Sequence, residues 1–149
     1  MPAIAAIEQS RRSLQQQTHR HCYACGAPER GGLGLEFITQ ADGSVAATWQ
    51  CPPNYQSYEG ILHGGVIATL LDGAMVHALF AQGVVAHTAD LHVRYRHPVI
   101  IGQEIQITAR KDTASGPLHV LSAEIAQNGV VCASARAKFM QASALTPNP

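Results

Sequence analysis

His63, Gly64, Gly65 and Asp72 have the types and the spacing to act on a carbonyl group. They lie in the stretch Leu62-His63-Gly64-Gly65-Val66-Ile67-Ala68-Thr69-Leu70-Leu71-Asp72-Gly73-Ala74-Met75. The apolar spacing after the glycines predicts a helix from Gly64 to about Ala81, ending near Gly83. Its first backbone N–H groups have no partner within the helix, and its dipole favours negative charge at that end. Asp72 is the one acid between Gly64 and Ala89. An anion-stabilising helix start and an isolated carboxylate in apolar surroundings supply an oxyanion site and a base, the two needs of acyl transfer.

Spacing adds a constraint. Gly64 and Asp72 are eight residues apart, about 12 Å along a helix axis. One carbonyl cannot touch both, so the site needs another element or a second chain. Two antiparallel helices from two subunits would bring Gly64 of one near Asp72 of the other, giving two sites per symmetric dimer.

The elements that must hold these residues can be read from periodicity and turn residues. The 149 residues fit one domain with a sizeable core. Residues 7–17 read as a helix, 33–38 as a strand, and 45–49 as its hairpin partner around Asp42-Gly43. Four strands follow the long helix, at 84–95, 104–112, 119–127 and 130–140. Asn128-Gly129 between two alternating runs is a hairpin signal. A helix apolar all round needs cover on most sides. The fold class is therefore α+β, a curved antiparallel sheet wrapped around one central helix. The expected boundaries are an N-terminal helical extension at 1–20, the main domain at 21–141 and a flexible tail at 142–149.

Composition excludes some functions. Formal net charge is zero, which argues against nucleic acid or an anionic membrane as partner. The apolar run from Val66 to Ala86 is interrupted by Asp72, His77 and Gln82, so a buried helix is expected rather than a membrane span. The apolar start, Met1 to Ile7, is too short for a secretory signal, and four cysteines make no disulfide framework; a reducing cytoplasm is expected. Cys22-Tyr23-Ala24-Cys25, beside His19 and His21, has half a zinc-site spacing. With no second pair, these cysteines are expected to be packed residues, and no metal is expected.

The order of elements, the LHGGVIATLLDGAM segment, the strand Thr88-Ala89-Asp90-Leu91-His92-Val93-Arg94-Tyr95-Arg96-His97-Pro98, and the upstream Cys-x-x-Cys-Gly and Gly-Leu-Gly-Leu resemble one family. It is the hot-dog-fold acyl-CoA thioesterases, in particular the PaaI-like subgroup, and the resemblance covers roughly Cys22 to Met140. It implies hydrolysis of an acyl-CoA thioester without a further cofactor, in a homodimer or dimer of dimers whose active site is shared across the interface. It implies Asp72 as general base or nucleophile, and Gly64, with Gly65, as donors to the thioester carbonyl. His63 would fix the turn, and Thr88 would stand near the attacking water. Where many members have Asn six residues before the histidine, this chain has Ser57, in Ser57-Tyr58-Glu59-Gly60. Ser57 and Glu59 are candidate pocket residues. Arg94 and Arg96, on the strand face opposite Leu91, Val93 and Tyr95, are candidates for CoA phosphates, together with Arg110, Lys111, Arg136 or Lys138.

Other readings remain open at this level. Asp72 could be structural, bonded to backbone or to His77, which would leave a non-catalytic acyl-CoA or acyl-carrier binding protein. A hot-dog dehydratase would need a histidine in the pocket, and His77, His87 and His92 are available.

Overall fold

The computed structural model describes residues 3–141; the expected tail at 142–149 lies outside them. In chain order the regular elements are α1 (Ile4–Thr18), β1 (Ile38–Thr39), β2 (Val45–Gln50), α2 (Gly64–Phe80), β3 (Ala86–Tyr95), β4 (Glu104–Ser115), β5 (Leu118–Gln127) and β6 (Val130–Gln141). The strands form one antiparallel sheet in the order β1-β2-β4-β5-β6-β3. The Asn128-Gly129 turn takes positive φ at both residues, 53° and 77°, as the tight hairpin between β5 and β6 requires.

Period-two alternation sets which face of the sheet meets α2. Ile105, Ile107 and Ala109 of β4, Leu121, Ala123 and Ile125 of β5, and Ala133, Ala135, Ala137 and Phe139 of β6 are buried. Their neighbours at even positions carry the polar face. Register aligns Val45, Ala109, Ala123, Ala135 and Val93 in one row across five strands. Alanines at the centre of that row leave room for the helix backbone to approach. From Gly73 to Phe80 every residue of α2 is buried, so the helix is covered on all sides there, as its composition demands.

The segment 33–38 differs from the sequence reading. Only Ile38 and Thr39 pair with β2. Leu33, Leu35 and Phe37 are buried in alternation, but their backbone turns to the cysteine-containing connector. Leu33 N–H donates to Tyr23 O at 2.7 Å and Leu35 N–H to Ala24 O at 3.2 Å. Trp49 Nε1 of β2 donates to Leu33 O at 3.0 Å. Alternation identified the buried face and could not identify the pairing partner.

Helix α1 is fastened by a buried ion pair. Arg11 is 2% exposed and lies in a network of Glu8, Gln15 and His77 Nδ1, the last at 2.9 Å. Glu8 Oε2 also accepts from Thr39 N–H at 2.9 Å and Thr39 Oγ1 at 2.7 Å, joining α1 to β1. Arg11 holds the Glu8 carboxyl well below its usual range, with the Thr39 hydrogen bonds adding to the effect against the cost of burial. Truncating one partner strands the other's charge. Arg11→Ala is expected to cost about 3 kcal/mol in urea unfolding. A depressed carboxyl stabilises the fold above its unfolded pKa and loses that effect as pH falls. The variant should therefore show a flatter stability profile below pH 4.5, the ordinary value for this group.

Candidate active site

His63 caps the N-terminus of α2. Its backbone is extended (φ −61°, ψ 133°), and its Nδ1 accepts the Gly65 N–H at 2.8 Å. When the ring is neutral, its proton therefore sits on Nε2. Val66 and Ile67 N–H donate to His63 O at 3.0 and 3.1 Å. Gly64 N–H is left with no hydrogen-bond partner among the described residues. Of the two N–H groups expected as donors, Gly65 N–H is thus committed to the cap and only Gly64 N–H is free among the described residues.

Tyr95, at the end of β3, closes over this helix start. Its hydroxyl donates to Gly64 O at 2.7 Å. A Cβ at Gly64 would lie 3.4 Å from the Tyr95 ring, so a side chain here would rest on the tyrosine. Sequence reasoning passed over Tyr95. Its parity with Leu91 and Val93, which face the helix, is the signal that could have found it. A groove of about 340 Å³ runs beside the first turns of α2, lined by Tyr23, Tyr55, Gln56, His63, Gly65 and Thr69 among others.

Asp72 lies two turns further along, half-buried. Thr88 Oγ1 of β3 donates to its Oδ1 at 2.6 Å. Burial raises the Asp72 pKa; the Thr88 hydrogen bond opposes it, a Cys22 thiolate would add to the rise, and a charged His19 would oppose it. Thr88 can reach Asp72 because β3 shifts register between Thr88 and Asp90. Thr88 pairs with the buried Phe139, while Asp90 pairs with Lys138 on the outer face. Without the shift, Thr88 would share the outer face with His92 and Arg94.

Several candidates do not converge on this region. Neither Asp72 nor Thr88 lines the groove at the helix start. Ser57 and Glu59 are exposed in the preceding loop, outside that groove; Ser57 N–H donates to Ile61 O at 2.9 Å. Arg94 faces away from α2. Arg96 lies beyond the end of β3 rather than on it, and its N–H donates to Cys132 O. With Arg110 and Arg136, both line an outer-face depression of about 650 Å³; Lys111 and Lys138 do not line it.

The histidines needed for dehydratase chemistry are elsewhere. His77 is 1% exposed and stacks on Phe37 with ring centroids 4.6 Å apart. Burial, then Arg11, pushes its pKa down to about 3, so it is a neutral core acceptor. It bonds Arg11 and not Asp72. His87 and His92 are exposed. One further cluster was undervalued in the sequence: the donor atoms of His19, Cys22 and Cys25 lie within 4.8 Å of one another.

The thioesterase superfamily profile matches residues 59–139, more than half of the chain and the whole span from the loop before α2 to β6. The chain belongs to the thioesterase superfamily. Among curated proteins it is similar to acyl-coenzyme A thioesterase THEM4 of Rattus norvegicus, at 28% identity over 57% of this chain and 38% of that one. It is similar to human acyl-coenzyme A thioesterase 13 at 30% identity, over 50% of this chain and 55% of that one. The chain thus spans between about two fifths and just over half of these relatives' lengths. A solved thioesterase superfamily protein aligns with TM-score 0.77 and 29% identity, over 81% of this chain and 63% of that one. The PaaI protein of E. coli aligns with TM-score 0.77 and 18% identity, over 93% of this chain and 96% of that one. The curved sheet around α2 is the hot-dog fold.

The Asp72 environment has a consequence for stability. A carboxyl whose folded pKa is raised destabilises the fold above that pKa and costs nothing below its unfolded value. Asp72→Asn is expected to raise the melting temperature by a few degrees at neutral pH. The gain should vanish as pH falls to where the wild-type carboxyl is protonated, as read by calorimetry across pH.

Proposed function

We propose that the chain hydrolyses an acyl-CoA thioester to a free acid and CoA, at a site shared between two copies. The single observation that carries the reading is the pairing of a free Gly64 N–H at the α2 N-terminus with a half-buried Asp72 held by Thr88. Membership of the superfamily supports the reaction class, and relatives named acyl-coenzyme A thioesterases support the substrate class. A structural neighbour from Streptococcus mutans is described as bound to acetyl CoA.

In this mechanism the thioester oxygen accepts from Gly64 N–H, where the helix dipole also favours the developing negative charge. Asp72 removes a proton from water as the water oxygen attacks the carbonyl carbon. The tetrahedral intermediate collapses with cleavage of the C–S bond. The CoA thiolate leaves and is protonated, and the acid departs. Direct attack by the Asp72 carboxylate, through an anhydride that water then opens, uses the same groups. Thr88 holds Oδ1 and leaves Oδ2 for the reaction. His63 occupies Gly65 N–H and so keeps the first turn in shape. Arg94 and Arg96 face away from Asp72, which suits contact with the nucleotide end of CoA rather than its thioester.

The shared site rests on distance and on the sheet edge. Gly64 and Asp72 are about 12 Å apart along α2. β3 is the last strand of the sheet, paired on one side with β6. Among the described residues its other edge has no partner strand, and its unpaired backbone groups over ten residues are a template for a second copy. That edge supports assembly as a homodimer, itself able to pair into a dimer of dimers. All four cysteines are free thiols, which suits a reducing compartment such as the cytoplasm. Among the described residues no helix is long and apolar enough to cross a membrane.

Asp72→Asn should lower kcat for acyl-CoA hydrolysis about 100-fold or more while CoA binding persists. Wild-type activity should fall as pH drops through the raised Asp72 pKa, since the base works ionised. Hydrolysis by Asp72→Asn at the wild-type rate, followed as free thiol release, would remove Asp72 from the mechanism.

The second test mixes two inactive variants, Asp72→Ala and Gly64→Pro. Proline removes the proposed oxyanion donor, and the extended His63 backbone before it is compatible with proline. In a mixed dimer one site carries both defects and the other carries neither. Random exchange should restore up to about one quarter of wild-type activity. Folded, exchanging variants whose mixture stays inactive would place both groups' action within one chain.

A further inference from the structure

The connector between α1 and β1 places three soft donor groups together, beside the helix that carries Asp72. His19 is the C-cap of α1, Cys22 follows after a turn, and Cys25 after another. The donor atoms of all three lie within 4.8 Å of one another, and Cys25 Sγ is 3.8 Å from His19 Nδ1. Tetrahedral zinc with Zn–S near 2.3 Å and Zn–N near 2.05 Å sets sulfur and nitrogen ligands about 3.6 Å apart. The observed spacing is within a small adjustment of that value. All four cysteines of the chain are free.

The surrounding backbone holds this arrangement firmly. Cys22 N–H donates to His19 O at 3.2 Å, and Gly26 N–H to Cys22 O at 2.7 Å. Position 26 admits only glycine, because a Cβ there would fall 2.3 Å from Cys22 O. Tyr23 and Ala24 carbonyls are tied to Leu33 and Leu35. The His19 ring packs edge-on against Phe80 at 5.0 Å, which fixes its plane. On the α2 side, a Cβ at Gly73 would lie 2.8 Å from the Ala24 Cβ. A glycine in a helix interior is otherwise unfavourable. Here it lets the cysteine turn sit directly on α2, one residue from Asp72. A groove of about 450 Å³ that includes His19 and Cys25 in its lining gives solvent a way in.

We propose that His19, Cys22 and Cys25 bind a divalent transition-metal ion of the zinc class. Three protein ligands leave the fourth position to water or a small anion. Two thiolates and an imidazole suit zinc or cobalt over magnesium or calcium, which prefer oxygen. The ion clasps the end of α1 and the cysteine turn together. Because that turn rests on Gly73, occupancy stiffens the support of Asp72. The sequence argument against a metal assumed four ligands in two pairs, and it holds only for a closed site.

The test uses the full chain, reduced, with its four thiols counted in denaturant. Titration with Co²⁺ should saturate at one equivalent. It should give sulfur-to-cobalt charge transfer in the near ultraviolet and tetrahedral ligand-field bands in the visible, all bleached by Zn²⁺. The double variant Cys22→Ser, Cys25→Ser should lose the charge-transfer band, with affinity weakened on the order of 100-fold or more. His19→Gln should keep the sulfur band but weaken binding on the order of tenfold. Cys132→Ser should match the wild type. Zn²⁺ should raise the melting temperature of wild type and not of the double variant. Absence of sulfur charge transfer in the reduced wild type at roughly tenfold excess Co²⁺ would overturn the proposal, whatever the variants do. Retention of the band and of the thermal shift by the double variant would overturn it equally.

Discussion

Helix α2 has no continuous polar side, so the sheet, α1 and the cysteine connector together have to cover it. The alanines at the centre of β4, β5 and β6 let the helix axis come close, while the larger Ile105, Leu121 and Phe139 fill the space beside it. Once the helix is seated, both halves of the candidate site are fixed, one at its N-terminus and one midway along it. Its N-terminus emerges at the groove by Tyr55 and Thr69, and Asp72 is held half-buried against β3. Moving either group requires moving the core.

That burial has a price at Asp72. A carboxyl in this position gains one hydrogen bond from Thr88 against the loss of much of its hydration. The chain spends its other buried polar groups differently. Glu8 and Arg11 satisfy each other, recruit Thr39 and His77, and serve to attach α1. One pair is well compensated and structural; the other carboxyl is poorly compensated, as a group poised to take a proton is expected to be.

The edge strand β3 joins these themes. It supplies Thr88 and Tyr95, which touch the two ends of the proposed chemistry, and it leaves one edge without a partner. A second copy adding to that edge would carry its own α2 alongside. The 12 Å between Gly64 and Asp72 makes such an arrangement chemically useful rather than incidental.

Much of this was legible in residue types and spacing. Apolar periodicity located α2 and the four strands after it, Asn128-Gly129 located a hairpin, and Gly64 with Asp72 marked the candidate site, because each of these follows from local rules of backbone and burial. Tertiary structure alone decided what depends on distant partners. The turn of Leu33 and Leu35 toward the Cys22–Cys25 connector is set by competition among many possible backbone partners. The register shift that brings Thr88 to Asp72 leaves no mark in composition, since one extra residue in a strand reverses the faces without changing the pattern nearby. The loss of Gly65 as a donor follows from a ring nitrogen of His63 whose rotamer no spacing reveals. The convergence of His19 with both cysteines depends on a connector folded between α1 and α2, where chain separation says little about distance in space.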